Sequence, residues 1–177
     1  MRVVAGTLGG RVFKAPPGDK THPMSEAARG ALFNILGDIS GKTILDPFGG
    51  TGAMSFEALS RGAAQATIIE RDRIASKIIK ENIAELGVGS RCKLISANCR
   101  SWSESSQNET FDLIICDPPY HDLQLSTVSL LIKHLKPNGL MVLSHSGRGG
   151  QVPAVNGVVV VDNRSYGDAA LSFYQLG

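Results

Sequence analysis

Residues 43–144 switch repeatedly between two hydrophobic spacings. Short runs of Ile, Leu and Val, each ended by polar or turn residues, predict buried strands in "TILDPF", "ATIIERD", "CKLISAN", "FDLIICDPPY" and "GLMVLSHS". Between them, "AMSFEALSRGA", "RIASKIIKENIAELG" and "LSTVSLLIKHLKPNG" place apolar side chains at helical intervals. The second of these puts Ile74, Ile78, Ile79, Ile83 and Leu86 on one face and stops at Gly87. The third ends in a turn at Pro137-Asn138-Gly139. Strands alternating with helices imply right-handed βαβ units, and so an α/β protein with a parallel sheet covered on both faces. "GVVVVDNRSYGDAALSFYQL" breaks the alternation: two strand-like runs around a turn near Tyr166-Gly167-Asp168 predict an antiparallel hairpin at a sheet edge.

The first 40 residues follow a different plan. "RVVAGTLGGRVFKAP" predicts a ribbon turning at Gly9-Gly10, and "SEAARGALFNIL" a helix capped by Ser25, with Glu26 in its first turn and its end at Gly37. The expected organisation is an N-terminal ribbon-and-helix appendage over 1–40 and a main domain over 41–177.

Composition adds limits. A chain of 177 residues with 42% hydrophobic and 19% charged content suits one water-soluble globular core. The apolar runs are strand-sized, and the first residues lack the apolar centre of a signal peptide, so a cytoplasmic protein without a membrane partner is expected. Cys92, Cys99 and Cys116 have no metal-site spacing, and reduced buried thiols and no metal are expected. The net charge is only +2, but residues 1–42 hold six Lys/Arg against three acids, a modest basic lobe that fits a phosphate backbone.

Candidate chemistry sits at the carboxyl ends of the predicted strands, where open parallel sheets bind ligands. The first strand ends in "LDPFGGTGA". Gly49, Gly50 and Gly52 allow a tight turn and close approach to a ligand ahead of a helix. Glu70 ends the second strand, where a carboxylate can accept both hydroxyls of a ribose. The run Gly50-Thr51-Gly52-Ala53-Met54-Ser55 lacks the third glycine of a dinucleotide fingerprint. Asp46 suits a cationic ligand, so the pattern leans to S-adenosylmethionine while leaving a dinucleotide open. Asn98, at the end of the third strand, is placed near the adenine, where its side-chain oxygen can accept from the amino group; a surface turn is the rival role.

The fourth strand ends in Asp117-Pro118-Pro119-Tyr120. For methyl transfer to an exocyclic amine, two acceptors on the two N–H bonds favour the charge that develops on a weakly nucleophilic nitrogen. The Asp117 side chain and the Pro118 carbonyl supply them. The prolines Pro118 and Pro119 fix the backbone beforehand, and Tyr120 offers a face for a splayed-out base.

This tetrapeptide after a Gly-rich strand resembles the amino-methyltransferases with an (N/D)PP(Y/F) motif. More narrowly the chain resembles the RsmD-type methyltransferases, which act on the exocyclic N2 of a guanine in small-subunit (16S) ribosomal RNA. "RVVAGTLGGRVFKAP", "THPMSEAARGALFNIL", "LDPFGGTGAMSFEALSRGA" and "YGDAALSFY" carry the likeness nearly end to end. It departs at His22, Ala27, Gly30, Asn98 and Ser144-His145. The resemblance implies a Rossmann-like seven-stranded methyltransferase fold binding S-adenosyl-L-methionine. Asp46 and Gly49–Gly52 would lie around the methionine moiety, Glu70 by the ribose, and Asn98 and Cys99 by the adenine, with Phe48 and Arg71 also against the cofactor. Arg11, Lys14, His22 and Arg29 would hold the RNA. The expected partner is small-subunit rRNA or an assembling 30S particle, met by a monomer. Alternatives are the same chemistry on a DNA adenine or a protein glutamine, or a silent RNA-binding assembly factor.

Overall fold

A computed structural model describes residues 1–18 and 23–177. One seven-stranded sheet runs β3-β2-β1-β4-β5-β7-β6, built from β1 (Thr43–Asp46), β2 (Gln65–Glu70), β3 (Cys92–Ser96), β4 (Phe111–Cys116), β5 (Leu135–Ser146), β6 (Val158–Tyr166) and β7 (Ala169–Leu176). The first five strands are parallel: Ile44 stands beside Ala66 on one side and Leu113 on the other. β7 inserts antiparallel between β5 and β6, Leu143 opposite Ser172, so the predicted hairpin closes the sheet with β6 outermost. Strand order reverses between β1 and β4, the point at whose carboxyl side open parallel sheets bind ligands.

The helices divide between the two faces. α1 (Glu26–Leu36), α2 (Ala53–Ser60) and α3 (Arg73–Leu86) bury Phe33, Phe56 and Ile79 against Ile44, Ile68 and Ile115. α4 (Cys99–Ser105) and α5 (Leu125–Leu131) bury Trp102, Val128 and Leu131 against Leu45, Ile69 and Ile114. The alternation of Ile68 with Ile69 and of Ile114 with Ile115 is the period of 2 along strands buried on both faces. Ser25 caps α1 by accepting from the Ala28 N–H at 3.1 Å, and α3 ends at Gly87 with φ +70°.

The ribbon and α1 share this core. Val3 and Phe13 are buried in the same cluster as Phe33 and Phe56, and the Phe13 ring meets Phe56 edge-on at 5.2 Å. The ribbon's turn spans 5–10, closed by a bridge between Arg2 and Val12. Gly6 lies so close to α2 that a Cβ there would stand 2.0 Å from the Ser60 carbonyl oxygen, and its φ is +84°. Glu57 of α2, itself buried, accepts from the Val4 and Ala5 N–H groups at 2.8 and 3.1 Å and pairs with Arg29 and Arg61.

Three expectations are corrected. α4 was not anticipated: seven residues are too few to show a helical period, and its start is an asparagine cap. The third predicted helix is only α5 followed by a 3-10 turn at Ile132–His134; β5 then begins at Leu135 and runs through Pro137-Asn138-Gly139, with a register shift opposite Phe111 and Leu113. Ile74 is 56% exposed, because the buried face of α3 centres on Ala75, Ile79, Asn82 and Leu86.

Candidate active site

β1 ends in Asp46, which is 1% exposed. Its Oδ2 accepts from the Ser55 hydroxyl at 2.9 Å, while its Oδ1 is buried with no partner. Burial pushes this carboxyl up to about 8 despite the Ser55 hydrogen bond, and the carboxylates of Asp117 and Glu70 push the same way. An acid buried among acids, with one oxygen unmatched, wants either a proton or a cation. That donor set fits the positive end of S-adenosylmethionine.

The glycine turn follows. A Cβ on Gly49 would stand 2.5 Å from Ile68 Cγ2, and one on Gly52 (φ +80°) would stand 2.7 Å from the Phe56 ring. At these two positions the missing side chains make room for β2 and for α2, not for a ligand. Glu70 ends β2 and locks the turn: one carboxylate oxygen accepts the Gly50 N–H and the other the Asp72 N–H, both at 2.7 Å. Phe48 is half-buried beside the turn, and Arg71 is exposed. Asn98 is exposed and caps α4, its Oδ1 accepting from the Arg100 and Ser101 N–H groups at 2.9 and 3.4 Å. The oxygen expected to face an adenine caps α4. Cys99 is buried at the first position of α4, and burial pushes its thiol up to about 12. Cys92 and Cys116 are likewise buried and free.

Asp117 sits just past β4, half-buried. Burial raises its carboxyl to about 6, opposed by the Ser144 hydroxyl. Pro118 is buried and, among the described residues, its carbonyl accepts no hydrogen bond. The Pro119 carbonyl instead takes the Asp122 N–H at 2.9 Å, closing the turn. Tyr120 is 39% exposed, and its hydroxyl is tied at 2.8 Å to Ser144 Oγ on β5. The ring is held by its tip and is partly exposed. Sequence reasoning missed Ser55 and Ser144. Ser55 stands two residues into α2 after the glycine turn, within reach of the acid that ends β1. Ser144 had no such signal, since its partner comes from another strand.

The residues assigned to RNA are dispersed. Arg29 is 0% exposed, ion-paired to Glu57 and donating to the Arg2 carbonyl, so it is a core residue and that assignment is corrected. Arg11 donates to the Glu85 and Leu86 carbonyls at the end of α3, and Lys14 lies between Glu81 and Glu85. Charge along a sequence does not show which cations the fold will spend on itself. His22 lies outside the described residues. A depression of about 340 Å³ lies at the opposite end of the sheet, lined by Thr43, Gln65, Arg91, Cys92, Lys93 and Glu109, and holds none of the strand-end acids, the glycine turn or Asp117–Tyr120.

Sheet order, glycine turn and strand-end acids together define a Rossmann-like α/β protein of the seven-stranded methyltransferase type. The chain belongs to the family described as conserved hypothetical protein 95, whose pattern matches residues 1–175. It is 32% identical to ribosomal RNA small subunit methyltransferase D of Haemophilus influenzae, over 80% of this chain and 76% of that one. To the Escherichia coli protein of that name it is 34% identical, over 74% of this chain and 66% of that one. The solved Escherichia coli structure "Putative methyltransferase yhhF" superposes with a TM-score of 0.87 at 29% identity, covering 99% of this chain and 97% of that one. Among the described residues no helix is long and apolar enough to cross a membrane.

Proposed function

We propose that the chain is an S-adenosylmethionine-dependent rRNA methyltransferase that modifies the exocyclic N2 of a guanine in small-subunit rRNA. The observation that carries this reading is the pairing of Asp117 with an unengaged Pro118 carbonyl, one strand away from the unmatched oxygen of Asp46. The cofactor supplies an electrophilic methyl group on a positively charged sulfur. Asp46 answers that positive charge, and Glu70 holds the glycine turn beneath it.

Asp117 and the Pro118 carbonyl each accept one N–H of the target amine, drawing the nitrogen's lone pair out of conjugation. The two prolines keep this pair in place before substrate arrives, so little ordering remains at the moment of reaction. Tyr120 stacks on the extruded base, with Ser144 steadying its hydroxyl. As the nitrogen gains the methyl it loses a proton; Asp117, raised to about 6, takes it and returns it to water. A silent assembly factor has no need of two preset acceptors, and relatives named for ribosomal RNA weigh against a DNA adenine or a protein glutamine.

The partner is small-subunit rRNA, naked or within an assembling 30S particle, met in the cytoplasm by a monomer. Mass-spectrometric mapping of rRNA from a deletion strain tests this. Loss of N2-methylguanosine at one small-subunit position, restored by the native chain and not by Asp117→Ala, is expected. An unchanged methylation profile refutes it. Methylation of isolated subunits against protein-free RNA identifies which form is used.

A further inference from the structure

Most described cations are engaged within the protein: Arg2 with Glu26, Lys136 with Asp112, Arg148 with Asp168 and Arg164 with Asp162 are examples. Four that are not occur within ten residues: Arg71, Arg73, Lys77 and Lys80 are exposed and, among the described residues, make no ion pair or side-chain hydrogen bond. Arg73, Lys77 and Lys80 recur at i, i+4 and i+7 of α3, within an arc of about 60° and a rise of about 10 Å. They lie opposite the buried Ala75, Ile79, Asn82 and Leu86. The acids of the same helix, Glu81 and Glu85, are turned aside to Lys14. Like charges at this spacing repel and weaken a helix, so folding gains nothing from the row.

Its position is set by the site. Arg71 follows Glu70, whose carboxylate holds the Gly50 N–H, so the row starts beside the glycine turn and runs away along α3. β2 lies two strands from β4, a lateral offset of about 10 Å from Asp117. We propose that Arg71, Arg73, Lys77 and Lys80 form the phosphate-gripping surface of this enzyme, holding the rRNA that flanks the target while its base enters the Asp117–Tyr120 cleft. The inference rests on the rRNA reading above and assigns the grip to α3, in place of the N-terminal lobe, where Arg2, Arg11, Lys14 and Arg29 are held by partners within the fold. Such a grip fixes register and adds affinity without reading sequence.

The test uses the full chain, protein-free 16S rRNA and 30S subunits from the deletion strain. Arg73→Ala/Lys77→Ala/Lys80→Ala removes three positive charges from an exposed face, and circular dichroism checks that the fold survives. With three fewer phosphates neutralised on a single strand, the slope of log affinity against log salt falls by about 2. That drop, a raised KM for RNA and an unchanged affinity for S-adenosylmethionine are expected. Arg164→Ala, on the far edge strand, is the control and should leave slope and KM as in the native chain. A native slope in the triple variant, or an equal drop in Arg164→Ala, overturns the assignment. If the native chain itself fails to methylate or bind either RNA, the functional reading falls and the grip with it; if the native chain methylates RNA and the triple variant does so with unchanged KM, only the grip falls.

Discussion

Moving from pH 8 to pH 6 should act on cofactor binding chiefly through Asp46. Its carboxyl titrates at about 8 in the free protein, because it is buried with one oxygen unmatched and has two carboxylates for neighbours. Only the ionised form meets a cation favourably. On that value about half the molecules are competent at pH 8 and about 1% at pH 6, so the apparent Kd for S-adenosylmethionine weakens by about 50-fold across the interval. The sign is fixed: binding favours the charged form, so affinity rises with pH up to about 8 and then levels. Isothermal titration calorimetry in buffers of different ionisation enthalpy measures both Kd and the proton released on binding, which at pH 7 should be close to one per site. Asp46→Asn removes the titration, so its affinity should be flatter between pH 6 and 8 and its proton release near zero. The cofactor's own amino group, which titrates near 7.7–8.0, is common to both proteins and cancels in the ratio. Native binding without proton release, or a release that Asp46→Asn retains, would refute the reasoning.

Asp117→Asn keeps the shape but weakens an acceptor, and should lower kcat by about 10²–10³ with cofactor affinity little changed; in the native enzyme the rate should climb through pH 6, and single-turnover assays at several pH values read both. Tyr120→Ala removes one stacked base and should raise the KM for RNA by about 5- to 150-fold, with Tyr120→Phe near native. Glu57→Ala leaves the Arg29 guanidinium buried without its carboxylate and should cost about 3–5 kcal/mol by urea denaturation. Gly6→Ala puts a methyl group against the Ser60 carbonyl in a left-handed conformation; a lower thermal midpoint is expected, and an unchanged one contradicts the packing described.

The parts of the fold legible in the sequence were those with a strong period. Strands such as "FDLIICD" and "ATIIERD" announce themselves because both faces are buried, and α3 because its far face is charged. Asp46, the glycine turn and Asp117–Tyr120 were legible because turn chemistry and strand ends coincide there. What stayed hidden depended on partners distant in sequence. By sequence Asn98 reads as adenine-facing with a surface turn as its rival, and its role as the cap of α4 depends on a helix too short to show a period. Arg29 looked like surface in a basic segment because its partner, Glu57, is 28 residues away. Ile74 fitted the helical spacing by number alone, while the packing angle of α3 turned it outward. Arg29 counts by sequence among the RNA-facing cations for the same reason: pairing within the fold leaves no mark on composition.

The ribbon's seating bears on how the chain is made. Lys14 exchanges backbone hydrogen bonds with the Asn82 side chain, 68 residues on, and Arg11 reaches Leu86, 75 residues on. A ribosome adding 5–20 residues per second needs about 4–15 s to supply those partners after the ribbon has formed. Val3 and Phe13 stay uncovered until α2, and then α3, has been made. The ribbon therefore waits for α2 and α3 before its apolar side chains are covered, and a bulky group attached at Met1, whose amine donates to the Phe13 carbonyl at 3.1 Å, would stand at that seam.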